Sequence, residues 1–486
     1  MEKILVIGAG TMGSGISMWF AQQGVSVQLF DIDRRLLDEN VNSCHKKWDS
    51  LKTKNKFNPA QVSSFKENLS PVYQLKDCDP NTSLVVEAIV EKIEPKIFLF
   101  NQLDKFLGSE CIFATNTSGL SVDSIRDSIP KSRQKFFIGL HFFNPATIMK
   151  LVEIVSIAEQ FEIVVKLKTF FQKAGKVPVA CKDRPGFICN RIARNYYGES
   201  FHIAKTFNKD VFLTIDQIMR EIGGFKMGPY ELMDLIGIDI NLAATENVWE
   251  GFDKHARFNP HEIQVEMVKS GKLGNKSGSG FLNGEKIISP PSESSSYYKS
   301  QVIYDVKDKV SDQSELIIDL SIASLEEKIN LYRNLKAKSK IIIADLSTYS
   351  FEAFNQLLQF IDGSVAYKFR NKNKAELILK SVNQKIISSI NKSLSISVVV
   401  HTLGSGHIFS RIISMIFNEA QIAFEEGLTS KEDIDKAMKF GLNYPQGPLE
   451  WRTNFREDDI KKVIQNLPSF NPTEPISRYK KAKLFE

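Results

Sequence analysis

A histidine and a glutamate in neighbouring apolar runs have the residue types needed for proton transfer. His141 follows the run Phe136-Phe137-Ile138-Gly139-Leu140, and Glu153 lies within Leu151-Val152-Glu153-Ile154-Val155. A buried ionised carboxylate needs a partner. If the two runs form neighbouring strands, Glu153 can bind one imidazole nitrogen and leave the other free to accept a proton. The pattern predicts a general-base pair, and a purely structural Glu–His contact is the alternative that the sequence leaves open.

The first thirty-one residues have the pattern of a dinucleotide-binding turn. The predicted strand 3–7 runs into Gly8-Ala9-Gly10-Thr11-Met12-Gly13, and a helix is predicted over 14–24. The glycines permit a tight turn and a close approach of a diphosphate to the N–H groups of the new helix. Asp31 ends a second predicted strand, 25–30, where an acid binds ribose hydroxyls and repels a 2′-phosphate. NAD is therefore favoured over NADP, the alternative being a structural strand-turn-helix without a ligand.

Further apolar runs give the βαβ rhythm of a parallel sheet. They lie at 84–89, 111–115 and 136–140, with a helical spacer over 95–107 between the first two. Ligands of such sheets bind beyond the carboxyl ends of the strands. This rule selects Glu91, the segment Asn116-Thr117-Ser118, and His141.

The predicted fold class is α/β: a Rossmann-type, doubly wound, mostly parallel sheet over 1–184, followed by helical domains. The segment from Arg34 to Leu75 is long and helical in character, which predicts a helical-hairpin insertion. Its tip, residues 46–56, holds five lysines against one acid. The lysines, Lys52 and Lys56 among them, form either a solvated helix face or a binding surface for a polyphosphorylated part of the substrate.

The remainder of the chain contains an internal repeat. Gly406 to Arg411 aligns with Gly186 to Arg191, which indicates that a helical domain has been duplicated. The predicted division is a helical domain over 185–286, a Pro/Ser-rich linker over 287–312, a degenerate partial Rossmann-like segment over 313–400 and a second helical copy over 401–486. The degenerate segment lacks a glycine turn and is predicted to offer Tyr367-Lys368-Phe369 where His141 stands. We therefore expect it to be structural.

Composition excludes several classes of function. The 486 residues are 42% hydrophobic and 25% charged with a net charge of +6, typical of a globular protein without a nucleic-acid-binding surface. No apolar run reaches membrane-spanning length. The five cysteines lack metal-type spacing and are predicted to be buried thiols. We expect a cytoplasmic protein that binds neither nucleic acid, membrane nor metal.

The motifs resemble those of the L-3-hydroxyacyl-CoA dehydrogenase family over residues 1 to about 285. The C-terminal block is similar to the extra helical domain of longer bacterial members. The resemblance is carried by Gly8 to Gly13, Val86-Glu87-Ala88-Ile89-Val90-Glu91, Asn116-Thr117-Ser118, Gly139 to Pro145, Lys150-Leu151-Val152-Glu153 and Pro185-Gly186-Phe187.

This resemblance implies reversible hydride transfer between NAD and carbon 3 of an (S)-3-hydroxyacyl-CoA thioester. It implies that His141 is the general base with Glu153 as its orienting partner. Ser118 and Asn190 would bind the reacting oxygen or the thioester. Beside the glycine turn and Asp31, the family positions that touch the cofactor are matched by Glu91, Lys96, Asn144 and Lys276, and the hairpin carrying Lys52 and Lys56 matches the region that meets the CoA phosphates.

Two other functions remain open at this point. A dehydrogenase of a free hydroxy acid or sugar acid shares the superfamily fold, and a catalytically silent NAD-binding scaffold protein would share the glycine turn. The lysine-rich hairpin favours a CoA ester over a free acid, and the complete set of polar residues at the predicted site favours an enzyme. We expect a monomer or a homodimer, with the duplicated helical domain in place of a subunit contact.

Overall fold

The computed structural model describes residues 2–204, 211–285, 296–402, 406–470 and 475–485. The chain divides into two compact units. The first contains residues 1–191 and 426–442, and the second contains 192–425 and 443–486. The Pro/Ser-rich part of the predicted linker, 289–295, lies outside the described residues.

The first unit is built on an eight-stranded sheet with the order β3-β2-β1-β4-β5-β6-β7-β8. All neighbouring strands are parallel except the antiparallel pair β6 and β7. The strands are β1 Lys3–Ile7, β2 Ser26–Phe30, β3 Leu69–Val72, β4 Leu84–Glu87, β5 Ile112–Thr115, β6 Phe137–Phe142, β7 Leu151–Val155 and β8 Val177–Cys181. The helices are α1 Thr11–Gln22, α2 Arg34–Thr53, α3 Pro59–Glu67, α4 Ile93–Leu103, α5 Val122–Asp127, α6 Lys131–Gln134 and α7 Phe161–Lys173.

Burial of apolar side chains holds the helices on this sheet. Ile16 and Phe20 of α1 and Phe171 of α7 are fully buried with the strand residues Val6 and Leu29 in one continuous core. Burying a side chain of this size contributes about 1.5–3 kcal/mol. The glycine turn and the β6–β7 pair are thereby fixed on one rigid support.

Two predicted elements in this unit need correction. Helix α1 begins at Thr11, inside the glycine turn, rather than at Ser14. The stretch predicted as helical up to Leu75 contains the strand β3, which pairs with β2 at the sheet edge. Pro71 lies within β3, and proline lacks an N–H, so such a strand is tolerated at an edge and is difficult to recognise.

The second unit contains helices from both repeat copies. The helices that follow residue 188 are α8 Cys189–Ala204, α9 Val211–Glu221, α10 Pro229–Ile236, α11 Ile238–Gly251, α12 Glu262–Lys269, α13 Leu325–Ala337, α14 Phe351–Leu358, α15 Gln384–Leu394, α16 Ile408–Glu425, α17 Lys431–Gly441 and α18 Glu457–Phe470. Helix α8 begins in the first unit, and α17 belongs to that unit entirely.

The two helical copies meet at a buried cluster of charges in the second unit. The carboxylate of Glu199 on α8 accepts hydrogen bonds from Arg411 on α16 at 2.7 and 3.0 Å and from Arg478 at 3.0 Å. Arg478 also donates to Nε2 of His202 at 2.7 Å. Burial would raise the pKa of Glu199, but the two guanidinium groups hold it below its ordinary value. The cluster therefore joins the repeats through an ionised carboxylate.

A second, six-stranded sheet has the order β14-β13-β12-β11-β10-β9. Its strands are β9 Ser300–Ile303, β10 Leu316–Asp319, β11 Ile341–Ala344, β12 Gly363–Val365, β13 Lys374–Leu379 and β14 Ser397–His401. Strand β9 lies inside the segment predicted as a linker, so this sheet begins earlier than residue 313. Its four residues, Ser-Gln-Val-Ile, are too few and too polar to predict a strand.

The antiparallel pair β12 and β13 corresponds to β6 and β7, with one correction to the predicted alignment. Glu376 accepts hydrogen bonds from the amides of Ile408 and Phe409 at 2.7 and 3.0 Å, as a carboxylate at the start of a helix does. Its neighbour across the pair is Ala366, whose amide donates to the Glu376 carbonyl at 2.9 Å. The counterpart of His141 is therefore Ala366, not a residue of Tyr367-Lys368-Phe369.

Residues 426–442 of the second copy cover the edge strand β8 of the first sheet. The Ala180 amide donates to Asp433 at 3.3 Å, and the Ala180 carbonyl accepts from the Thr429 hydroxyl at 2.5 Å. The Lys182 amide donates to the Leu428 carbonyl at 3.0 Å. The backbone groups of Ala180 and the Lys182 amide, at the end of this edge, are thus bound by the C-terminal repeat.

All five cysteines are buried free thiols, as predicted. Burial raises the pKa of the Cys44 and Cys78 thiols to about 11. Among the described residues, no helix is both long enough and apolar enough to cross a bilayer.

Candidate active site

The candidate site residues of the first unit lie at the carboxyl edge of its sheet. Glu91 follows β4, Asn116-Thr117-Ser118 follows β5, and His141 lies near the end of β6. In parallel sheets this edge is the usual place for ligands. The structure thus brings together the polar residues that the strand pattern selected.

His141 and Glu153 face each other across the antiparallel pair β6 and β7, where they occupy directly paired positions. His141 Nδ1 lies 2.6 Å from Glu153 Oε2. Since a carboxylate accepts, Nδ1 donates this hydrogen bond, and Nε2 is the basic nitrogen of the neutral imidazole. Within the described residues no group hydrogen-bonds to Nε2. His141 is 7% exposed and Glu153 is fully buried.

The other carboxylate oxygen of Glu153 is bound at the start of helix α8. The amides of Ile188 and Cys189 donate to Oε1 at 3.2 and 3.0 Å. A helix N-terminus stabilises negative charge, so these amides stabilise the ionised form of Glu153. With both oxygens bound, the carboxylate fixes the imidazole ring in one orientation.

Steric constraints explain why each of the three positions in the opening turn is a glycine. A Cβ on Gly8 would lie 2.4 Å from the Ala88 carbonyl oxygen, and one on Gly13 would lie 1.7 Å from the Gly8 carbonyl oxygen. Around Gly10 the space is open to 4 Å. Gly8 and Gly13 therefore permit close packing of the turn, and Gly10 leaves room for a diphosphate beside the helix.

Helix α1 begins with Gly10 as N-cap, and in the described residues no side chain caps it. Its first amides are consequently left for an anion. Beside the turn lies a cavity of about 520 Å³, within the usual range for cofactor sites. It is lined by Gly8, Gly10, Asp31 and apolar residues that include Phe98.

Asp31 holds the turn and faces the cavity. Its Oδ2 accepts from the Ala9 amide at 2.7 Å, and its Oδ1 accepts from the Asp33 amide at 2.9 Å. Each oxygen retains a second lone pair for a ribose hydroxyl. The glycine turn, the uncapped helix and Asp31 together fit a dinucleotide with an unphosphorylated ribose.

Glu91 and Lys96, both predicted to touch the cofactor, belong to one hydrogen-bonded cluster. Glu91 accepts from the Thr117 hydroxyl at 2.5 Å and from the Ser118 amide at 2.9 Å. Lys96 is 1% exposed, with its ammonium 2.6 Å from Glu87 and 3.3 Å from Glu91. Burial opposes ionisation of Glu91, but Lys96 and these donors hold its pKa below the ordinary value. The buried Lys96 ammonium thus holds the Glu91 carboxylate in place.

Ser118 and Asn190, the two predicted substrate ligands, are neighbours. The Asn190 carboxamide donates to the Ser118 carbonyl at 3.2 Å. The Ser118 side chain is exposed beside Glu91. Their direct contact with substrate stays a prediction.

The other predicted ligands are placed as follows. Asn144 is exposed and lines a cavity of about 290 Å³ that also contacts Thr11 and Lys47 of the lysine-rich hairpin. Lys52 lies 3.4 Å from Asp49 on the same helix, and Lys56 is exposed after the helix ends. Lys276 belongs to the second unit, where its ammonium lies 2.5 Å from Asp239.

Sequence reasoning gave no role to Glu87 and Lys176, and it selected Asn116 only as part of a segment at the edge of the sheet; all three support the site. Glu87 is fully buried between Lys96 and the Thr115 hydroxyl, and the Asn116 carboxamide accepts from the Phe142 amide at 2.8 Å. The ammonium of Lys176 donates to two carbonyls of the β6–β7 loop, and burial lowers its pKa to about 8. Glu87 could have been recognised in the sequence, because it is a carboxylate at the end of an apolar strand. The role of Lys176 could not, because the carbonyls that it binds are brought to it only by the fold.

Comparison with known proteins now identifies the family. Residues 3–184 match the description "3-hydroxyacyl-CoA dehydrogenase, NAD binding domain". Residues 186–284 and 406–486 match "3-hydroxyacyl-CoA dehydrogenase, C-terminal domain". The chain belongs to the 3-hydroxyacyl-CoA dehydrogenase family. Both copies of the helical repeat are therefore recognised as the same family domain.

Individual proteins similar to this chain support the same family assignment. The 3-hydroxyadipyl-CoA dehydrogenase of Escherichia coli K12 is 32% identical over 474 residues, covering 96% of this chain and 94% of the relative. The mitochondrial hydroxyacyl-coenzyme A dehydrogenase of Rattus norvegicus is 36% identical over 58% of this chain and 90% of its own. A crystal structure of 3-hydroxybutyryl-CoA dehydrogenase from E. coli K12 superposes with a TM-score of 0.81 at 30% identity, covering 100% and 97% of the two chains.

These findings confirm the predicted fold class, the family resemblance and the cofactor. The protein is an NAD-dependent 3-hydroxyacyl-CoA dehydrogenase. The Rossmann-type sheet with helical regions and a second, smaller sheet is the fold of this family.

Replacing Asp31 with Asn tests the nucleotide preference. The variant keeps an acceptor for the Ala9 amide but loses the charge that is predicted to bind ribose hydroxyls and repel a 2′-phosphate. Hydrogen bonds to charged groups contribute about 1.5–3 kcal/mol, so the ratio of the NADPH to the NADH dissociation constant should fall roughly 10-fold or more. Fluorescence titration measures both constants. Asp38→Asn, the same charge change on α2, is the control, and an unchanged ratio in Asp31→Asn would contradict the assignment.

Proposed function

We propose that His141 is the general base that removes the proton from the 3-hydroxyl of an (S)-3-hydroxyacyl-CoA, with Glu153 as its positioning residue. The observation that carries this is the 2.6 Å contact of Glu153 with Nδ1, which leaves Nε2 as the free basic nitrogen. As the hydroxyl proton moves to Nε2, the imidazole becomes cationic. The adjacent carboxylate stabilises that cation through its contact with Nδ1.

The remaining chemistry follows from the same edge of the sheet. Bound NAD supplies the hydride acceptor, and the glycine turn with Asp31 holds it. Ser118 and Asn190 donate hydrogen bonds to the oxygen on which charge develops, or to the thioester carbonyl. Glu91, held by Lys96 and Thr117, fixes the Ser118 backbone for that purpose. In the reductive direction the His141 imidazolium returns its proton to the new hydroxyl.

The CoA part of the substrate is assigned to the lysine-rich hairpin. Lys47 lines the cavity of about 290 Å³ together with Asn144 and residues of α1. Lys52 and Lys56 lie farther along the hairpin, where their charges suit the distal phosphates of CoA. Binding energy from those phosphates can then position the reacting carbon.

One assay tests this proposal against the two alternatives. Absorbance of NADH is followed while acetoacetyl-CoA, and in a parallel run acetoacetate, is added to the whole chain. Oxidation with the thioester alone is the expected result. Oxidation with the free acid would identify a hydroxy-acid dehydrogenase, and oxidation with neither would support the silent scaffold.

The acyl chain is proposed to be short or dicarboxylic. Support comes from the names of two relatives that match the whole chain, 3-hydroxyadipyl-CoA dehydrogenase and 3-hydroxybutyryl-CoA dehydrogenase. In the NADH assay, a series of 3-oxoacyl-CoA esters should give its highest kcat/KM at four to six carbons, a range taken from those names. A maximum at long monocarboxylic chains would contradict this choice.

We propose that the protein is cytoplasmic and that one chain folds and functions as a monomer. The five-part division at 1–184, 185–286, 287–312, 313–400 and 401–486 is retained, with the second sheet extended to β9. Within the second unit, the cluster of Glu199, Arg411 and Arg478 joins the two helical copies as a subunit contact would. This supports the monomer over the homodimer, and the acyl-CoA substrate is the partner proposed for the active site of the first unit.

A further inference from the structure

A second cavity, remote in sequence from the glycine turn, lies entirely within the second unit. Its volume is about 600 Å³, in the range of sites for small molecules. The β12–β13 loop forms one wall with Lys368, Arg370 and Lys372. Because β12 is parallel to β11, this loop leaves the carboxyl edge of the second sheet. Sheets of this class bind ligands at that edge.

The charge of this cavity is positive. Three cations and no carboxylate are among its lining residues. Asp459 lies near Lys368 and offsets part of its charge. Within the described parts of the chain, no carboxylate forms an ion pair with Arg370 or Lys372. Arg370 and Lys372 are thus two exposed cations that line the cavity, and no carboxylate among the lining residues balances their charge.

The loop holds these cations in place. The Arg370 guanidinium stacks 4.0 Å above the Tyr367 ring and donates to the Tyr367 carbonyl at 3.0 Å. Asn371 and Lys374 close a two-residue turn through paired backbone hydrogen bonds of 2.9 and 3.0 Å. Lys372, inside this turn, has a φ of 55°, a conformation that glycine or asparagine adopts more easily. The turn thus fixes the backbone from which the exposed Lys372 side chain extends.

Neutral hydrogen-bonding groups form the rest of the wall. The Asn371 carboxamide nitrogen donates to the Ile222 carbonyl, so its oxygen remains available. Gln446 and Asn454 line the opposite side. Trp451, 1% exposed, also lines the cavity, and its indole N–H has no hydrogen-bond partner among the described residues. That N–H is itself buried, so it is not among the groups that a ligand in the cavity would meet.

We propose that this cavity binds a nucleotide through its diphosphate, with Arg370 and Lys372 on the phosphate oxygens. The planar Arg370 guanidinium suits two phosphate oxygens at once, and Lys372 adds a point charge. The volume far exceeds that of a phosphate alone, and the Asn371 carboxamide oxygen supplies an acceptor for the ribose or base. The site is distinct from the dinucleotide turn of the first sheet, since it lies in another unit and shares no residue with it.

Calorimetric titration of the whole chain with ADP, at saturating NAD⁺ so that the glycine turn is filled, tests this site. We expect saturable binding of one ADP per chain that weakens as salt is raised. Arg370→Gln/Lys372→Gln should weaken it at least 10-fold. Lys307→Gln/Lys309→Gln is the matched control, because it removes two exposed charges elsewhere in the same unit and should leave the affinity unchanged.

Each other outcome would overturn the proposal. No saturable ADP binding removes the site, and equal binding by Arg370→Gln/Lys372→Gln places the nucleotide elsewhere. If Lys307→Gln/Lys309→Gln weakens ADP binding equally, the effect comes from the net charge of the protein and not from this site. Pyrophosphate that binds as tightly as ADP shows a site for phosphate groups alone rather than for a nucleotide. Thermal unfolding of both double variants confirms that they are folded, as expected for exposed positions.

Discussion

Replacing His141 with Gln should lower kcat by about 10²–10⁴-fold, the usual contribution of a positioned general base. Glutamine can fill much of the space of the imidazole and hydrogen-bond to Glu153, but it cannot accept the hydroxyl proton at neutral pH. Because His141 does not belong to the glycine turn, the dissociation constant of NADH should change little. Steady-state assays with acetoacetyl-CoA and fluorescence titration with NADH give the two quantities.

The control is His255→Gln, a histidine of the second unit outside the candidate site. Its kcat and NADH affinity should match those of the parent chain. If His141→Gln lost cofactor affinity in proportion to turnover, the Glu153 contact would have a folding role and the general-base assignment would be wrong. A kcat within a factor of about three of the parent would contradict the assignment as well, since a general base contributes far more.

Replacing Glu199 with Gln should lower the free energy of unfolding by about 3–5 kcal/mol, the cost of breaking a buried ion pair from one side. The substitution takes the shared carboxylate away from Arg411 and Arg478, both of which remain buried. Urea denaturation followed by circular dichroism measures the change. The matched control is Glu231→Gln, which breaks the exposed pair with Arg220 and should cost at most about 1 kcal/mol.

The same cluster gives a pH dependence with a definite sign. The two guanidinium groups hold the pKa of Glu199 below its ordinary value against the effect of burial. A carboxyl group with a lowered pKa in the folded state adds stability above its unfolded pKa and loses it as the pH falls toward the folded one. The parent chain should therefore lose more stability than Glu199→Gln below about pH 4.5, the ordinary pKa of this group. Parallel losses in both proteins, or equal costs for Glu199→Gln and Glu231→Gln, would contradict this role of the cluster.

The dinucleotide half of the fold could be predicted because its signals are local. The glycine turn, the apolar strands and Asp31 follow one another within the first thirty-one residues, and the pairing of His141 with Glu153 requires only that two apolar runs be neighbours. The amides of Ile188 and Cys189 on Glu153 could not be predicted, since they depend on where a helix of a later domain begins.

The position in the second sheet that corresponds to His141 also could not be predicted correctly from the sequence. The sequence alignment placed Tyr367-Lys368-Phe369 at the position of His141, but the paired positions lie closer together along the chain in the second hairpin than in the first. His141 and Glu153 are 12 positions apart; Ala366 and Glu376 are 10 apart (376 − 366). A pairing register across an antiparallel hairpin is set by such differences, and residue types alone do not reveal it.

The covering of β8 by residues 426–442 has a consequence for synthesis of the chain. While the ribosome is still making the second half, the sheet that carries His141 and Glu153 has a bare strand edge, of the kind that pairs with other chains. The edge is closed only after about 248 further residues have been added, the separation of Cys181 and Thr429 (429 − 181). The nascent protein is consequently most prone to aggregate during that interval, and a chaperone that shields strand edges would act on it then.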